Sequence, residues 1–186
     1  MRLFIAIPVP DSVKQHARMV RNELGISRAD VKWVEYKNYH LTLKFLGEVA
    51  EEDIPSISQN LRLVAENCPA FNLSAGGVGY FPNRNRPRVL WMGIKGELDK
   101  ARFLAQRVDA YLEQFGYEVG GKHSFHLTLG RFRSDKGKNE LVKAADESAA
   151  KTKLTAFRVE KFDLMQSNLT SAGPEYEIIE SYTLKG

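Results

Sequence analysis

The tetrapeptide His-Leu-Thr-Leu occurs twice in this chain, at residues 40–43 and again at residues 126–129. Successive side chains of an extended strand point to opposite faces, so each copy places its histidine and threonine on one face and its two leucines on the other. The repeat therefore predicts two strands that each bury a leucine pair and present an imidazole and a hydroxyl to polar surroundings. Two such strands facing each other would form a site.

The repeat also indicates acid–base chemistry. One His-x-Thr on a half-buried sheet is an ordinary surface feature, but the two copies account for two of the four histidines. Imidazole has an unperturbed pKa of about 6.5, so a pair of histidines can act as general acid and general base near neutral pH. We predict that His40 and His126 are catalytic, and that Thr42 and Thr128 donate hydrogen bonds to a phosphoester oxygen.

Two basic residues lie next to the motifs. On a regular strand Lys44 shares the face of His40 and Thr42, although a lysine that only aids solubility explains the position equally well. Arg131 has the opposite parity to His126, but a bulge or kink at Gly130 would redirect it. Lys44, Arg131 or both are candidates for offsetting charge on a phosphoryl group.

A metal site and a serine nucleophile are less well supported than a histidine pair. His123 and His126 have a His-x-x-His spacing, but on a strand they point to opposite faces, and no acidic residue lies between Glu118 and Arg133. No Gly-x-Ser-x-Gly nucleophile motif occurs. We therefore expect no metal and no cofactor, with His123 as a partly exposed loop residue and His16 as a solvated helix residue.

Composition allows an anionic partner and favours an intracellular protein. The formal charge is +4, although 23 acidic residues keep the surface mixed. Cys68 is the single cysteine, which excludes an internal disulfide and fits a reducing compartment. The apolar stretch 3–9 is too short, and is too interrupted by proline, to be a signal sequence or a membrane span. These features predict a cytoplasmic location without a membrane partner.

The order of strands and helices recurs in each half of the chain. Helices are predicted over 11–25, 51–67, 97–115 and 139–149. Strands are predicted over 3–7, 31–35, 39–46, 71–78, 89–94, 117–119, 125–132, 154–169 and 176–184, with a turn at 120–122. No linker divides the series, so we expect a single two-lobed domain over 1–186. The pattern favours an α+β fold whose antiparallel or mixed sheets line a cleft.

One loop outside the motifs mixes aromatic and basic residues. Residues 80–88 contain Tyr80 and Phe81 together with Arg84, Arg86 and Arg88. Aromatic rings beside guanidinium groups suit single-stranded nucleic acid, and a solvated basic loop explains the stretch equally well.

Taken together, these motifs resemble the two-histidine phosphoesterase superfamily, and more narrowly its bacterial and archaeal RNA 2',3'-cyclic phosphodiesterases, also called 2'-5' RNA ligases. The resemblance covers nearly the whole chain and rests on five segments in order: MRLFIAIPVP, WVEYKNYHLTLKFLGEV, GVGYFPNRNRPRVLWMGI, HLTLGRFR and FDLMQSNLTSAGPEYEIIESYTL. Phe125 departs from the family's frequent proline and Tyr39 from its frequent leucine, and both positions concern local loop shape.

The resemblance implies a bilobal, pseudo-twofold fold with helices outside and the motifs facing across a groove, needing neither metal nor ATP. It implies that one histidine activates water while the other protonates the ribose 3'-oxygen of a 2',3'-cyclic phosphate, leaving a 2'-phosphate. We assign the acid to His40 and the base to His126, with Thr42, Thr128 and Arg131 holding the phosphate. The same site could join a cyclic phosphate end to a 5'-hydroxyl, which is 2'-5' ligation, the reverse of cleaving a 2'-5' linkage.

The partner implied by the resemblance is RNA with a 2',3'-cyclic phosphate end, from tRNA or another RNA. The expected protein is a monomer with no obligate protein partner. Two alternatives stay open: an enzyme acting on a small nucleotide such as ADP-ribose cyclic phosphate, and a non-catalytic module that binds RNA ends.

Overall fold

The computed structural model describes residues 1–121, 123–148 and 153–186, which form four α-helices and nine strands. The helices are α1 (Asp11–Gly25), α2 (Ile54–Asn67), α3 (Leu98–Leu112) and α4 (Lys138–Glu147). The strands are β1 (Arg2–Pro8), β2 (Val31–Trp33), β3 (His40–Glu48), β4 (Phe71–Phe81), β5 (Val89–Gly96), β6 (His126–Phe132), β7 (Thr155–Val159), β8 (Lys161–Thr170) and β9 (Gly173–Thr183).

The strands form two antiparallel sheets, and each sheet contains one of the repeated motifs. The first sheet has the order β3-β1-β8-β9, and the second has the order β2-β6-β5-β4-β7. The first motif begins β3 and the second begins β6. The prediction of an α+β fold is confirmed, and all the pairings between these strands are antiparallel.

The leucines of both motifs are buried, as the alternating pattern predicts. Leu41, Leu127 and Leu129 are fully buried, and Leu43 is nearly so. They belong to one continuous cluster of buried apolar side chains that draws on both sheets and all four helices. Burying the leucines fixes each strand's register, because a slip by one residue would move the histidine and threonine into the core.

Several element boundaries differ from the sequence prediction. A 3-10 turn (Glu51–Asp53) precedes α2, and another (Glu113–Phe115) follows α3 before Gly116, which has a φ of 88°. No strand forms over 117–119, and the stretch predicted as one strand or a strand pair over 154–169 is a pair, divided after Val159. Lys122 of the predicted turn and Ala149 at the end of the predicted last helix lie outside the described residues.

The prediction for His16 was wrong. Its side chain is 2% exposed, and its Nδ1 lies 3.0 Å from the Thr155 hydroxyl. The helical pattern predicted one buried stripe on α1, but α1 also packs against α4 and β7. These elements come from far along the chain, so helical periodicity alone did not reveal the second contact. Within the described ranges, none of the helices has the length and apolar character needed to cross a bilayer.

Candidate active site

His40 is held by hydrogen bonds to both ring nitrogens. Nδ1 lies 2.7 Å from the Asn38 carbonyl oxygen, and Nε2 lies 3.0 Å from the Thr42 hydroxyl. Because a carbonyl oxygen can only accept, Nδ1 carries the proton and donates it to Asn38. This leaves Nε2 of the neutral ring to accept from Thr42. Both bonds are local, since Asn38 ends a 3-10 turn (Tyr36–Asn38) and Thr42 is two residues along β3.

His126 is held by aromatic rings. Its ring centroid lies 4.8 Å from that of Phe81 and 5.8 Å from that of Trp91. Its Nδ1 is buried and has no hydrogen-bond partner among the described residues. The two motif histidines therefore have different surroundings although their tetrapeptides are identical.

The Trp91 ring lies against Gly79 on the neighbouring strand. A Cβ atom at Gly79 would be 2.1 Å from the ring, so Gly79→Ala forces Trp91 to move. Overpacking of this kind costs about 1–3 kcal/mol of unfolding free energy, and it displaces a ring that contacts His126. We expect denaturant unfolding to show the lower stability and tryptophan fluorescence to show the displacement of Trp91. Gly25→Ala is the matched control, since nothing lies within 4 Å of its added Cβ; equal behaviour of the two variants would contradict the prediction.

Burial lowers the pKa of both motif histidines, because a buried imidazolium loses hydration. For His40 the hydrogen bond to the Asn38 carbonyl opposes part of this shift in pKa, and the charge of Lys14 adds to it. For His126 the charge of Arg131 adds to the lowering of the pKa. Both rings therefore favour the neutral form more than a free histidine does.

A bulge places Arg131, as the sequence prediction allowed. Leu90 pairs with Gly130 and Trp91 pairs with Thr128, so Leu129 is the extra residue on β6. Arg131 is exposed after the bulge, and Gly130 allows β2 to approach, since a Cβ there would be 2.6 Å from Val31. The sequence allowed a bulge or kink at Gly130, and the structure has a bulge at the preceding residue, Leu129.

The two motif strands lie beside each other although they belong to different sheets. Tyr176 of β9 packs on the His40 ring at 5.4 Å between centroids, and both rings contact Phe4. Burial raises the pKa of Tyr176, and the charge of Arg131 opposes that rise. Arg131 thus acts electrostatically on His126 of its own sheet and on Tyr176 of the other. The structure brings the two histidine environments to one region.

The sequence prediction missed the aromatic residues around the histidines as site residues, namely Phe4, Phe81, Trp91 and Tyr176. Phe81 belongs to the aromatic-basic stretch that the sequence singled out, but nothing in its spacing placed it on His126. Tyr176 lies within a segment that carries the family resemblance, which was the available signal.

The sequence offered Lys44 as a candidate for a phosphate contact, but in the structure its ammonium is bonded to other protein groups. Its ammonium lies 2.6 Å from Asp109 Oδ1 and 2.6 Å from the Glu118 carbonyl oxygen. A bulge at Leu43 interrupts the alternation, since Ala6 pairs with Thr42 and Ile5 pairs with Lys44. The assumption of a regular strand was therefore wrong here. A phosphate contact by Lys44 stays a prediction that these bonds do not support.

Asp109 also binds the segment that precedes the second motif. Its Oδ2 accepts a hydrogen bond from the Gly120 backbone at 3.1 Å and lies 2.9 Å from His123 Nε2. The side chain of Asp109 is 3% exposed and that of His123 is 16% exposed. His123 is thus a largely buried partner of Asp109. Within the described ranges, no group of three or more His, Cys, Asp or Glu side chains is placed to hold a metal ion.

Two arginines of the 80–88 loop are engaged in ion pairs. Arg84 forms a two-bond pair with Asp146, and Arg88 lies 3.3 Å from Asp135. Pairing removes part of the positive charge that favoured nucleic acid at this loop.

Each of the two antiparallel sheets contains a strand that begins with His-x-Thr, and these two strands lie side by side. This is the arrangement that the resemblance to the two-histidine phosphoesterases implies. The chain belongs to the LigT-like phosphoesterase family, whose profile matches residues 7–91 and 94–176. The two matches each contain one His-x-Thr motif. The chain is therefore a phosphoesterase, a hydrolase built from two similar halves.

The chain is similar over nearly its whole length to named relatives and to a solved structure. An Archaeoglobus fulgidus protein named RNA 2',3'-cyclic phosphodiesterase is 39% identical over 178 residues, which cover 95% of this chain and 97% of that protein. A Thermotoga maritima protein of the same name is 32% identical, with 100% and 97% covered. The crystal structure of TT0787 from Thermus thermophilus superposes with a TM-score of 0.80 at 29% identity, covering 100% of this chain and 99% of that one.

Proposed function

We propose that this protein hydrolyses RNA 2',3'-cyclic phosphate ends to 2'-phosphates with His40 and His126 as its acid–base pair. The observation that carries the proposal is the placement of the two His-x-Thr strands side by side on separate sheets. The charge of Arg131 acts on His126 and on Tyr176, which packs on His40. The names of the full-length relatives supply the substrate class.

The different surroundings of the histidines support His40 as the acid. When His40 is protonated, both of its N–H groups have acceptors, the Asn38 carbonyl oxygen and Thr42 Oγ1. His126 has no such pair of acceptors, because its buried Nδ1 has no hydrogen-bond partner among the described residues, and the charge of Arg131 disfavours its protonated form. The resting proton therefore belongs on His40, and His126 is the base.

The reaction then balances with one water and no metal or ATP. His126 takes a proton from water as the water oxygen attacks phosphorus, and the bond from phosphorus to the ribose 3'-oxygen breaks. His40 gives its proton to that leaving oxygen, which becomes the 3'-hydroxyl, and the phosphate stays on the 2'-oxygen. Thr42 and Thr128 donate to non-bridging oxygens, while Arg131 offsets their charge. With an RNA 5'-hydroxyl in place of water as the attacking group, the same steps form a 2'-5' linkage.

A bell-shaped dependence of kcat/KM on pH is expected, with its maximum below about 6.5. The acid must be protonated and the base neutral, and both pKa values are lowered by burial, so activity falls as pH rises through the lowered pKa of the acid. The charge of Lys14 lowers the pKa of His40, so Lys14→Gln is expected to raise that pKa. The limb of the pH profile that His40 controls then shifts to higher pH. Movement of the alkaline limb identifies His40 as the acid; movement of the acidic limb would reverse the assignment.

The decisive experiment incubates the protein with an oligonucleotide ending in 2',3'-cyclic phosphate, in the presence of a chelator, and identifies the product. A 2'-phosphate supports the proposal. Loss of activity with chelator alone would contradict the metal-free mechanism. Binding without turnover would favour a module that only captures RNA ends, and turnover restricted to ADP-ribose cyclic phosphate would favour the small-nucleotide alternative.

A further inference from the structure

One face of α1 carries a row of three basic side chains. Lys14, Arg18 and Arg21 are spaced by four and three residues, so they lie along the same side of the helix. The helix rises about 1.5 Å per residue, so the row extends about 10 Å. None of the three forms an ion pair with a carboxylate in the part of the chain that the structure describes. This row differs from the 80–88 loop, where Arg84 and Arg88 are paired with aspartates.

The row lies on aromatic rings of the segment that leads into the first motif. The Arg18 guanidinium is 4.6 Å from the centroid of the Tyr36 ring, and the Lys14 ammonium is 5.8 Å from the same centroid. The Arg21 guanidinium is 5.9 Å from the Trp33 ring. A cation on an aromatic face is fixed in position, while the outward N–H groups of a guanidinium stay available to an anion.

The charges of the row act on the segment that contains the first motif histidine. The charge of Lys14 acts on His40, and the charges of Arg18 and Arg21 act on Tyr39, the residue before it. Asp11, at the start of α1, lies 3.5 Å from the Tyr36 hydroxyl, where it holds the ring rather than a cation. Lys14 is thus the member of the row whose charge acts on a motif histidine, and it lies over Tyr36, four residues before that histidine.

We propose that this row binds the phosphate backbone of the RNA strand on the 5' side of the reacting end, which makes a single-stranded oligonucleotide the preferred substrate over a cyclic mononucleotide. A single row of cations can contact the phosphates of one strand. The spacing between neighbouring cations, about one helical turn, is similar to the spacing between consecutive phosphates of that strand. The inference rests on the proposed function for the position of the reacting end. The row itself is a binding surface and takes no part in the chemical step.

The test separates backbone binding from catalysis by using two substrates and one non-reacting probe. Wild type, Arg18→Gln/Arg21→Gln and the control Arg102→Gln are compared. Arg102 is exposed on α3 and, within the described ranges, has no ion pair. For each protein we measure kcat/KM for an oligonucleotide with a 2',3'-cyclic phosphate end and for 2',3'-cyclic AMP. Binding of a fluorescent oligonucleotide ending in a 3'-phosphate is measured between about 50 and 200 mM salt.

The double variant is expected to lose about tenfold or more of the preference for oligonucleotide over 2',3'-cyclic AMP, with the control close to wild type. The slope of log affinity against log salt is expected to become shallower by about 1.4, since each phosphate contact on a single strand contributes about 0.7. An unchanged slope and preference would overturn the inference.

The outcome for the proposed function is read separately. If wild type hydrolyses both substrates and the double variant keeps the wild-type preference and slope, the row has no role and the proposed function stands. If wild type hydrolyses neither substrate, the proposed function fails, and the salt slope with the 3'-phosphate probe still decides whether the row binds RNA.

Discussion

His126→Ala and His40→Ala are each expected to lower kcat/KM for the cyclic-phosphate oligonucleotide by about 10²–10⁴-fold. Each change removes one of the two proton transfers, so water attack or departure of the 3'-oxygen proceeds without assistance. Because the two steps act together, the double variant is expected to be little slower than the worse single variant. The rate at which the cyclic phosphate end is converted to a 2'-phosphate end, quantified at saturating and subsaturating substrate, gives the measurement.

His123→Gln provides the matched control for the histidine variants. His123 lies three residues before His126, but its Nε2 is bonded to Asp109 rather than directed at the motif histidine. Its replacement is expected to change kcat/KM far less than either motif variant. A loss in His123→Gln as large as in His126→Ala would show that the pair of motif histidines is not the acid–base system.

Asp109→Ala is expected to lower the free energy of unfolding by about 3–5 kcal/mol. The side chains of Lys44 and Asp109 are only 9% and 3% exposed, so removing the carboxylate leaves a buried ammonium with no counter-charge. It also removes the acceptor of Gly120 N–H and His123. Denaturant unfolding of the variant and wild type measures the loss.

Two further variants show whether the loss comes from the unpaired charge. Lys44→Met/Asp109→Leu removes both charges and is expected to recover most of the lost stability, because apolar replacement of a buried pair is often close to neutral. Glu180→Ala breaks the solvent-exposed pair with Arg62 and is expected to cost far less. Equal losses in Asp109→Ala and Glu180→Ala would contradict this account of the buried pair.

The motif strands and the faces they bury were predictable because the signal is local. Alternation of leucine with histidine and threonine specifies which face each strand buries, and the structure buries the leucines accordingly. The bulge before Arg131 was also foreseen, since Gly130 marked an irregular point in the strand. These features depend on neighbouring residues and on elementary strand geometry.

The errors concern contacts between residues far apart in the sequence. The bulge at Leu43 has no glycine to mark it, so the sequence did not reveal it. Asp109 lies on a helix distant in sequence, and nothing around it predicted the bond to Lys44. His16 and Tyr176 were missed for the same reason, because their partners Thr155 and His40 come from remote elements.

The sheet that contains His40 joins strands from the beginning of the chain, which are synthesised first, to strands from its end, which are synthesised last. β1 is hydrogen-bonded both to β3 and to β8, and Tyr176 of β9 packs on His40. On a ribosome, β3 can pair with β1 early, but the other edge of β1 stays open until β8 has emerged, and such long-range pairing is slow to form. The sheet that contains His126 also includes a strand that is synthesised late, β7, but β7 is an edge strand of that sheet and is not paired with β6. The proposed acid therefore acquires its native surroundings late in biogenesis, after the surroundings of the proposed base.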